Sequence, residues 1–325
     1  MRSQIKLTSD FNHLLDNKIN MAQKWYSNGK LMLTGEYFVL FGAKSLAIPL
    51  KYGQSLEVVE ETGSPMLSFV TYVLGKPWFE AKYNNDFFEI LEASDTVKAC
   101  YLQELFLGAR TLNPLFLRQR KKVIATANLN FHMDWGIGSS SSLISNIAWW
   151  ANIDPYELNR LVSRGSGFDI ACARSQTLLF YSLAGRLPVI EHIGFKPKSF
   201  SKVWFVYLGK KQATEANLAT NIDKINPASS QIAEISQISG ALAKAGSSSE
   251  ICSLIGKHEK IISKALHQEP IQSLLFSDFE GAIKSLGAWG GDFCLAVSDL
   301  EESYVKSYFE QKGLRTVLSY EQLSI

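Results

Sequence analysis

The stretch Trp135-Gly136-Ile137-Gly138-Ser139-Ser140-Ser141-Ser142-Leu143 gathers two glycines and four hydroxyls at one point of the chain. Glycine lets the backbone turn tightly and approach an anion with no β-carbon in the way. A helix starting there would offer its unpaired N–H groups and positive dipole end to that anion. Hydroxyls in its first turn can donate to phosphate oxygens or ligate Mg²⁺. The pattern is neither the Gly-Lys-Ser/Thr loop nor the G-x-G-x-x-G dinucleotide turn. A plainer reading is a serine-rich cap on a buried helix, although one side chain suffices to cap. The second reactive candidate is Asp169, in Gly165-Ser166-Gly167-Phe168-Asp169-Ile170-Ala171. A carboxylate among small residues can orient a hydroxyl and accept its proton, or simply cap a turn. Lys30, beside Gly29, can neutralise charge on an anion or be a solvated turn lysine.

These groups need elements to hold them. Residues 123–131 alternate, with Val123, Ala125, Ala127, Leu129 and Phe131 on one face, as a half-buried strand requires. Leu143, Ile144, Ile147 and Ala151 then recur at helical spacing, so the order is strand, glycine loop, helix. Strands are expected at 31–33, 37–40, 56–59 and 67–79, and a helix over 96–110. Asp154-Pro155-x-Glu157 is a helix start, with Glu157 placed for a capping box. A strand at 177–183 precedes a hinge expected at Ala184 to Pro197, where Gly185, Pro188 and Gly194 signal loops. Beyond it lie strands at 203–208, 293–297 and 315–319, and helices near 250–267 and 302–312. Mixed elements in both halves predict an α+β protein. The adjacent Trp149 and Trp150, more than two turns past the loop, are expected in the core, and His132 is expected to be a polar strand terminus.

Bulk properties exclude several classes. With 33 Lys and Arg against 31 acids, the 325-residue chain lacks the basic excess of a dedicated nucleic-acid binder. Cys100, Cys172, Cys252 and Cys294 stand far apart, so neither a disulfide framework nor a zinc site is expected, which suits a cytoplasmic protein. No run approaches the roughly 18 apolar residues of a membrane span. Residues 1–20 lack the apolar core of a signal peptide and read as an extension or an upstream mis-start.

Four separated stretches together resemble the GHMP kinases. Gly29-Lys30-Leu31-Met32-Leu33-Thr34-Gly35-Glu36-Tyr37 is similar to their N-terminal motif. Gly136-Ile137-Gly138-Ser139-Ser140 resembles their G-L-G-S-S phosphate loop, and Gly165 to Ala171 resembles the segment that carries their catalytic aspartate. Gly287-Ala288-Trp289-Gly290-Gly291-Asp292 resembles their glycine-rich C-terminal motif. The order holds over residues 25–298. Gly35-Glu36-Tyr37, Gly165 to Asp169, Gly290-Gly291-Asp292 and Leu208 to Thr214 look most like the phosphomevalonate kinase branch.

The resemblance implies a two-domain fold, an S5 domain 2-like half over 21–185 and a ferredoxin-like half over 186–325, with the site between them. It implies ATP and Mg²⁺ as cofactors and a small alcohol or phosphorylated alcohol as acceptor, 5-phosphomevalonate ahead of mevalonate. No nucleic-acid or membrane partner is implied, and the chain is expected to be a monomer or homodimer. Asp169 and Lys30 are the implied catalytic pair. Gly136, Gly138, Ser139, Ser140, Ser141, Gly287, Gly290 and Gly291 would bind nucleotide. Glu36, Tyr37, Ser166, Gly167, Lys210 and Arg164 would meet the acceptor, with Glu36 a structural acid near Lys30. Ser140 and Glu157 would hold the metal. The chain departs from the family in three places. Trp289 stands where glycine is usual, no proline precedes the loop, and the segment before Asp169 is short.

Overall fold

Two sheets divide the strands of a computed structural model that describes residues 22–118, 121–163, 165–209, 225–287, 289 and 292–325. Arg164, Lys210, Gly290, Gly291 and the 1–20 extension lie outside the described residues. The larger sheet holds β1 (Gln23–Thr34), β2 (Ser45–Glu61), β3 (Met66–Val73), β4 (Lys76–Asn84), β5 (Ile90–Ala93), β6 (Lys122–Leu129), β7 (Leu179–Ala184) and β8 (Leu187–His192). Their order is β5-β4-β3-β6-β2-β7-β8, with β1 paired to β2, and only the β3–β6 pairing is parallel. The smaller, antiparallel sheet runs β10 (Ala282–Ser285), β11 (Phe293–Val297), β9 (Val203–Tyr207), β12 (Val317–Ser319). Mixed in one sheet and antiparallel in the other, the strands make an α+β fold, as expected.

Four helices back the larger sheet: α1 (Thr96–Leu112), α2 (Ser139–Ala151), α3 (Pro155–Val162) and α4 (Phe168–Arg174). Asp95 caps α1 by accepting the Lys98 N–H. Leu105 and Phe106 on α1 are fully buried, and Phe106 packs on Tyr83 and Phe88 with ring centroids 5.5 and 5.4 Å apart. Burying each such side chain stabilises by about 1.5–3 kcal/mol. α5 (Ser229–Leu242) packs on α6 (Ser248–Leu266) and against β1 and β2 of the larger sheet, while α7 (Ile271–Leu275), α8 (Glu302–Gln311) and α9 (Tyr320–Leu323) lie with α6 about the smaller sheet. One core cluster joins Leu31, Leu33 and Ile48 of the larger sheet to Phe205, Leu295 and Val297 of the smaller, so the two halves share an apolar interior.

Two expectations are corrected. Residues 37–40 are no strand; Phe38–Phe41 form a 3-10 turn between Gly35 and Gly42, both at positive φ. Tyr37 itself has φ 63°, which no strand allows. The expected hinge is also partly sheet. Residues 187–192 form β8, hydrogen-bonded to β7 through a turn at Gly185, so the larger sheet continues past residue 185. Pro188 fits because β8 is an edge, where a missing N–H costs no ladder bond.

Candidate active site

The glycine loop joins β6 to α2, and its glycines are required by protein neighbours. Gly136 and Gly138 have φ of 64° and 106°, in the region that disfavours side chains. A β-carbon on Gly136 would overlap the Asp292 carboxylate, and one on Gly138 would press the Lys30 stem at 3.1 Å. Gly29 is equally constrained, since a β-carbon there would sit 2.7 Å from the Ile137 carbonyl. That carbonyl accepts the Lys30 N–H at 2.8 Å. A register shift in β1 between Asn28 and Gly29 marks a bulge, which re-aims the strand just before Lys30.

Lys30 therefore reaches across the start of the loop to α4. Its Nζ stands 3.6 Å from Asp169 Oδ2 and 5.2 Å from the centroid of the Phe168 ring. The Lys30 side chain keeps 12% of its surface exposed and Asp169 keeps 35%, so the pair faces open space from a largely enclosed floor. Gly167, at φ 86°, starts α4 and places Asp169 in its first turn, where the helix dipole favours a negative charge. A β-carbon on Gly167 would sit 3.3 Å from both the Tyr156 ring and the Tyr181 hydroxyl, and that hydroxyl donates to Ser166 O at 2.5 Å.

The four serines divide by function. Ser140 is exposed and Ser139 half-buried, on the open side of the first turn of α2. Ser141 and Ser142 are buried, and their hydroxyls donate back to the Gly138 carbonyl at 3.1 and 2.8 Å. None caps the helix N–H groups with its side chain, so the capping reading does not hold. Beneath them runs a row of buried polar groups that sequence reasoning missed. Ser27 Oγ lies 2.8 Å from both Ser145 Oγ and Asn146 Oδ1, and the Asn146 amide donates to Gln54 O at 2.9 Å. Asn28 donates to Ser175 O at 2.6 Å, tying β1 to the end of α4. Such satisfied interior networks fix position. Their only trace in the sequence is polar residues on otherwise apolar faces.

Other expected residues lie elsewhere. Glu36 and Tyr37 are each 4% exposed, and Glu36 pairs with Lys284 instead of Lys30. Glu157 is exposed on α3 and pairs with Arg160, while Asp154 alone caps that helix through the Tyr156 N–H. Trp289 keeps the glycine-like backbone at φ 52° and buries its indole in a cluster with Tyr37, Phe38, Ile261 and Ile262. Gly287 has φ 68° and open space around it. Trp150 packs on Phe116 and Phe106, whereas Trp149 is half exposed beneath the Arg174 guanidinium. His132 is exposed. An apolar concavity of about 810 Å³ is lined by Leu208, Ile271, Phe276 and Leu314 of the smaller-sheet half, and neither Lys30 nor Asp169 lines it.

The donors near the loop fit a hard cation shared with phosphate oxygens. They include the exposed Ser140 hydroxyl, while the Asp292 carboxylate lies against Gly136, and Mg²⁺ is commonly held by one or two carboxylates plus substrate phosphates. No dedicated cage competes: among the described residues, no three His, Cys, Asp or Glu side chains group as metal ligands.

No family model matches the chain, and no curated protein sequence does. Solved structures do match, and the likeness is one of fold: the chain has the fold of GHMP kinases. The mevalonate kinase of Methanococcus jannaschii superposes with a TM-score of 0.68 at 15% identity, covering 94% of this chain and 99% of that one. A Streptococcus pneumoniae phosphomevalonate kinase, in complex with phosphomevalonate and AMPPNP, has a TM-score of 0.64 at 18% identity over 92% and 99%. Lactococcus lactis galactokinase, complexed with galactose, has a TM-score of 0.66 at 13% identity over 98% and 97%. Among the described residues no helix is long and apolar enough to cross a membrane.

Proposed function

We propose that the chain is an ATP-dependent kinase that phosphorylates a small alcohol, with 5-phosphomevalonate as the favoured acceptor. The carrying observation is the Lys30–Asp169 pair, 3.6 Å apart, with the Lys30 stem packed on Gly138, the residue that caps the start of α2. Phosphoryl transfer asks a protein chiefly for positioning and charge compensation. Asp169 orients the acceptor hydroxyl and takes its proton as the new P–O bond forms. Lys30 offsets charge on the transferred group, and the loop with Ser139 and Ser140 holds the nucleotide phosphates. Mg²⁺ bound with the nucleotide phosphates beside Ser140 would spread the charge between entering and leaving oxygens. The acceptor preference rests on Gly35-Glu36-Tyr37 and Gly165 to Asp169, and on the likeness to the kinase solved with phosphomevalonate.

A second reading is a protein of the same fold that binds nucleotide without turnover. Two features favour it: Glu157 is occupied by Arg160, and Trp289 replaces a glycine. Purified protein with Mg-ATP is offered mevalonate, 5-phosphomevalonate, galactose and homoserine in turn. ADP release that depends on one acceptor supports the kinase, most of all with 5-phosphomevalonate. Saturable ATP binding without acceptor-dependent ADP supports the second reading.

A further inference from the structure

Four ionisable side chains meet in the interior where the turn after β1 passes beneath α6 and β10. Lys284 of β10 has no exposed surface; its ammonium donates to Glu36 Oε1 and, at 2.7 Å, to Ser285 O. Glu36 Oε2 lies 3.3 Å from His258 Nε2 on α6. Glu259, the next residue of α6, accepts the Ser285 N–H through Oε2 at 3.3 Å. Its Oε1 stands 3.9 Å from both Lys284 Nζ and His258 Nδ1. None of the four is more than 4% exposed.

This cluster is one proton short. His258 Nε2 accepts the Gly35 N–H at 3.0 Å, so that nitrogen carries no hydrogen. Its neighbour at 3.3 Å, Glu36 Oε2, is a carboxylate oxygen with no hydrogen-bond partner, as is Glu259 Oε1. The Nε2 lone pair is already taken by the Gly35 N–H, so Nε2 offers Glu36 Oε2 no donor, and the two negative ends repel until a carboxyl gains a proton. The charges agree: two carboxylates face one ammonium in the interior, and an uncompensated buried charge is costly. We propose that the cluster binds one proton beyond those of Lys284 and the neutral histidine, and that this proton fastens the Gly35-Glu36 turn of the larger sheet to α6 and β10 of the other half.

Protonation supplies the missing donor and brings the net charge to zero. Burial acts in the same direction. It raises the carboxyl of Glu36, pushes that of Glu259 up to about 7, and holds His258 well below its usual range. The remaining titratable neighbour, the Cys294 thiol of β11, is driven upward by burial and stays protonated. The proton belongs to the coupled pair of carboxylates and not to one of them. Lys30 lies five residues before Gly35 on the strand that leads into this turn, so the clamp also anchors the strand bearing it.

Carboxyl-carbon NMR on glutamate-labelled protein tests the inference directly. A glutamate δ-carbon of the wild type should titrate between pH 6 and 8, and that signal should be lost or displaced in Glu259→Gln. Over the same range, the wild-type urea midpoint should fall as pH rises, while Glu259→Gln, with an amide in place of the proton-releasing acid, should fall much less. Exchange of the Gly35 amide should quicken about tenfold beyond the intrinsic base-catalysed increase. If every glutamate titrates below pH 6, the inference is overturned, whether or not the variant folds. Parallel declines in the two urea series would overturn it as well. These readouts need no turnover and are independent of the kinase reading.

Discussion

Lys30 Nζ faces Asp169 Oδ2 across 3.6 Å, although the two residues belong to different elements, β1 and α4. Three local devices bring them together: the bulge at Gly29, the left-handed Gly167 at the start of α4, and the Asn28 bond to Ser175 O. The pair thus sits on rigid elements and not on loops, which is what accurate positioning of a reactive group requires.

Replacing Asp169 by Asn keeps the shape and removes the carboxylate that the proposed kinase reading makes the proton acceptor. Turnover should fall by roughly 10²–10⁴-fold, the usual share of general-base catalysis, while ATP affinity changes only a few-fold. Single-turnover kinetics together with a nucleotide titration separate the two quantities. Near-wild-type turnover in Asp169→Asn would mean that the proton leaves by another route.

Lys30→Met keeps the stem that covers Gly138 and deletes the charge 3.6 Å from Asp169. Stability should change by less than about 1 kcal/mol, as for a partly exposed ion pair. On the proposed kinase reading, ATP binding and turnover should both weaken, because the lost charge is the one that would offset the transferred group. Thermal unfolding and isothermal titration check the two arms, and unchanged nucleotide affinity would place Lys30 outside the phosphate site.

A β-carbon on Gly136 would occupy the place of the Asp292 carboxylate, and the backbone there is left-handed. Gly136→Ala should therefore destabilise by about 1–3 kcal/mol through overpacking and strain. Adding Asp292→Ala should recover part of that loss, because the overlap disappears while the strain remains. A denaturant double-mutant cycle measures the coupling. Strict additivity would show that the two residues do not press on each other.

The same locality explains what could be read from the sequence. Lys30, the glycine loop and Asp169 each sit in a short contiguous pattern whose glycines announce unusual backbone, so the candidate pair was legible before any fold was known. Glu36 was not: its partner Lys284 lies 248 residues away, and no spacing rule connects them. Lys284 carries no mark of its own, being a lysine in a four-residue strand. Residues 38–41 are apolar and too few to show a period, so their own sequence does not separate a turn from a strand; the positive φ of Gly35, Tyr37 and Gly42 does. Strand β8 was hidden by Gly185, Pro188 and Gly194. These residues usually break structure, but here they flank a sheet edge or sit on it.

Acid should act on His258 with a definite sign. Burial and the Lys284 charge hold its pKa well below the ordinary 6.5, so the folded protein keeps it neutral while the unfolded chain protonates it. Its contribution to stability is complete above pH 6.5 and is lost as pH falls toward the folded value. Glu259 runs the other way. Its pKa is raised to about 7 from 4.5, so its contribution is complete below pH 4.5 and is lost as pH rises through 7. Between pH 4.5 and 6.5 the two slopes oppose each other. His258→Gln removes the first slope, so the variant should compare more favourably with wild type at pH 5 than at pH 6.5. Urea midpoints at both values give the comparison, and an offset that does not vary with pH would refute the assignment.

Trp289 sets two costs against each other. A bulky residue at φ 52° is strained by roughly 1–3 kcal/mol, which glycine would relieve. The indole is 6% exposed and packs with Tyr37, Phe38, Ile261 and Ile262, and truncating a buried tryptophan costs about 3–5 kcal/mol. The unpartnered Nε1 lowers the gain from burial without cancelling it. Packing outweighs strain, so Trp289→Gly should destabilise by about 1–3 kcal/mol even though it relieves the backbone strain. Calorimetric unfolding decides the sign. A rise in Tm would mean that the indole is held against its packing preference, and that the backbone strain at Trp289 is the larger of the two terms.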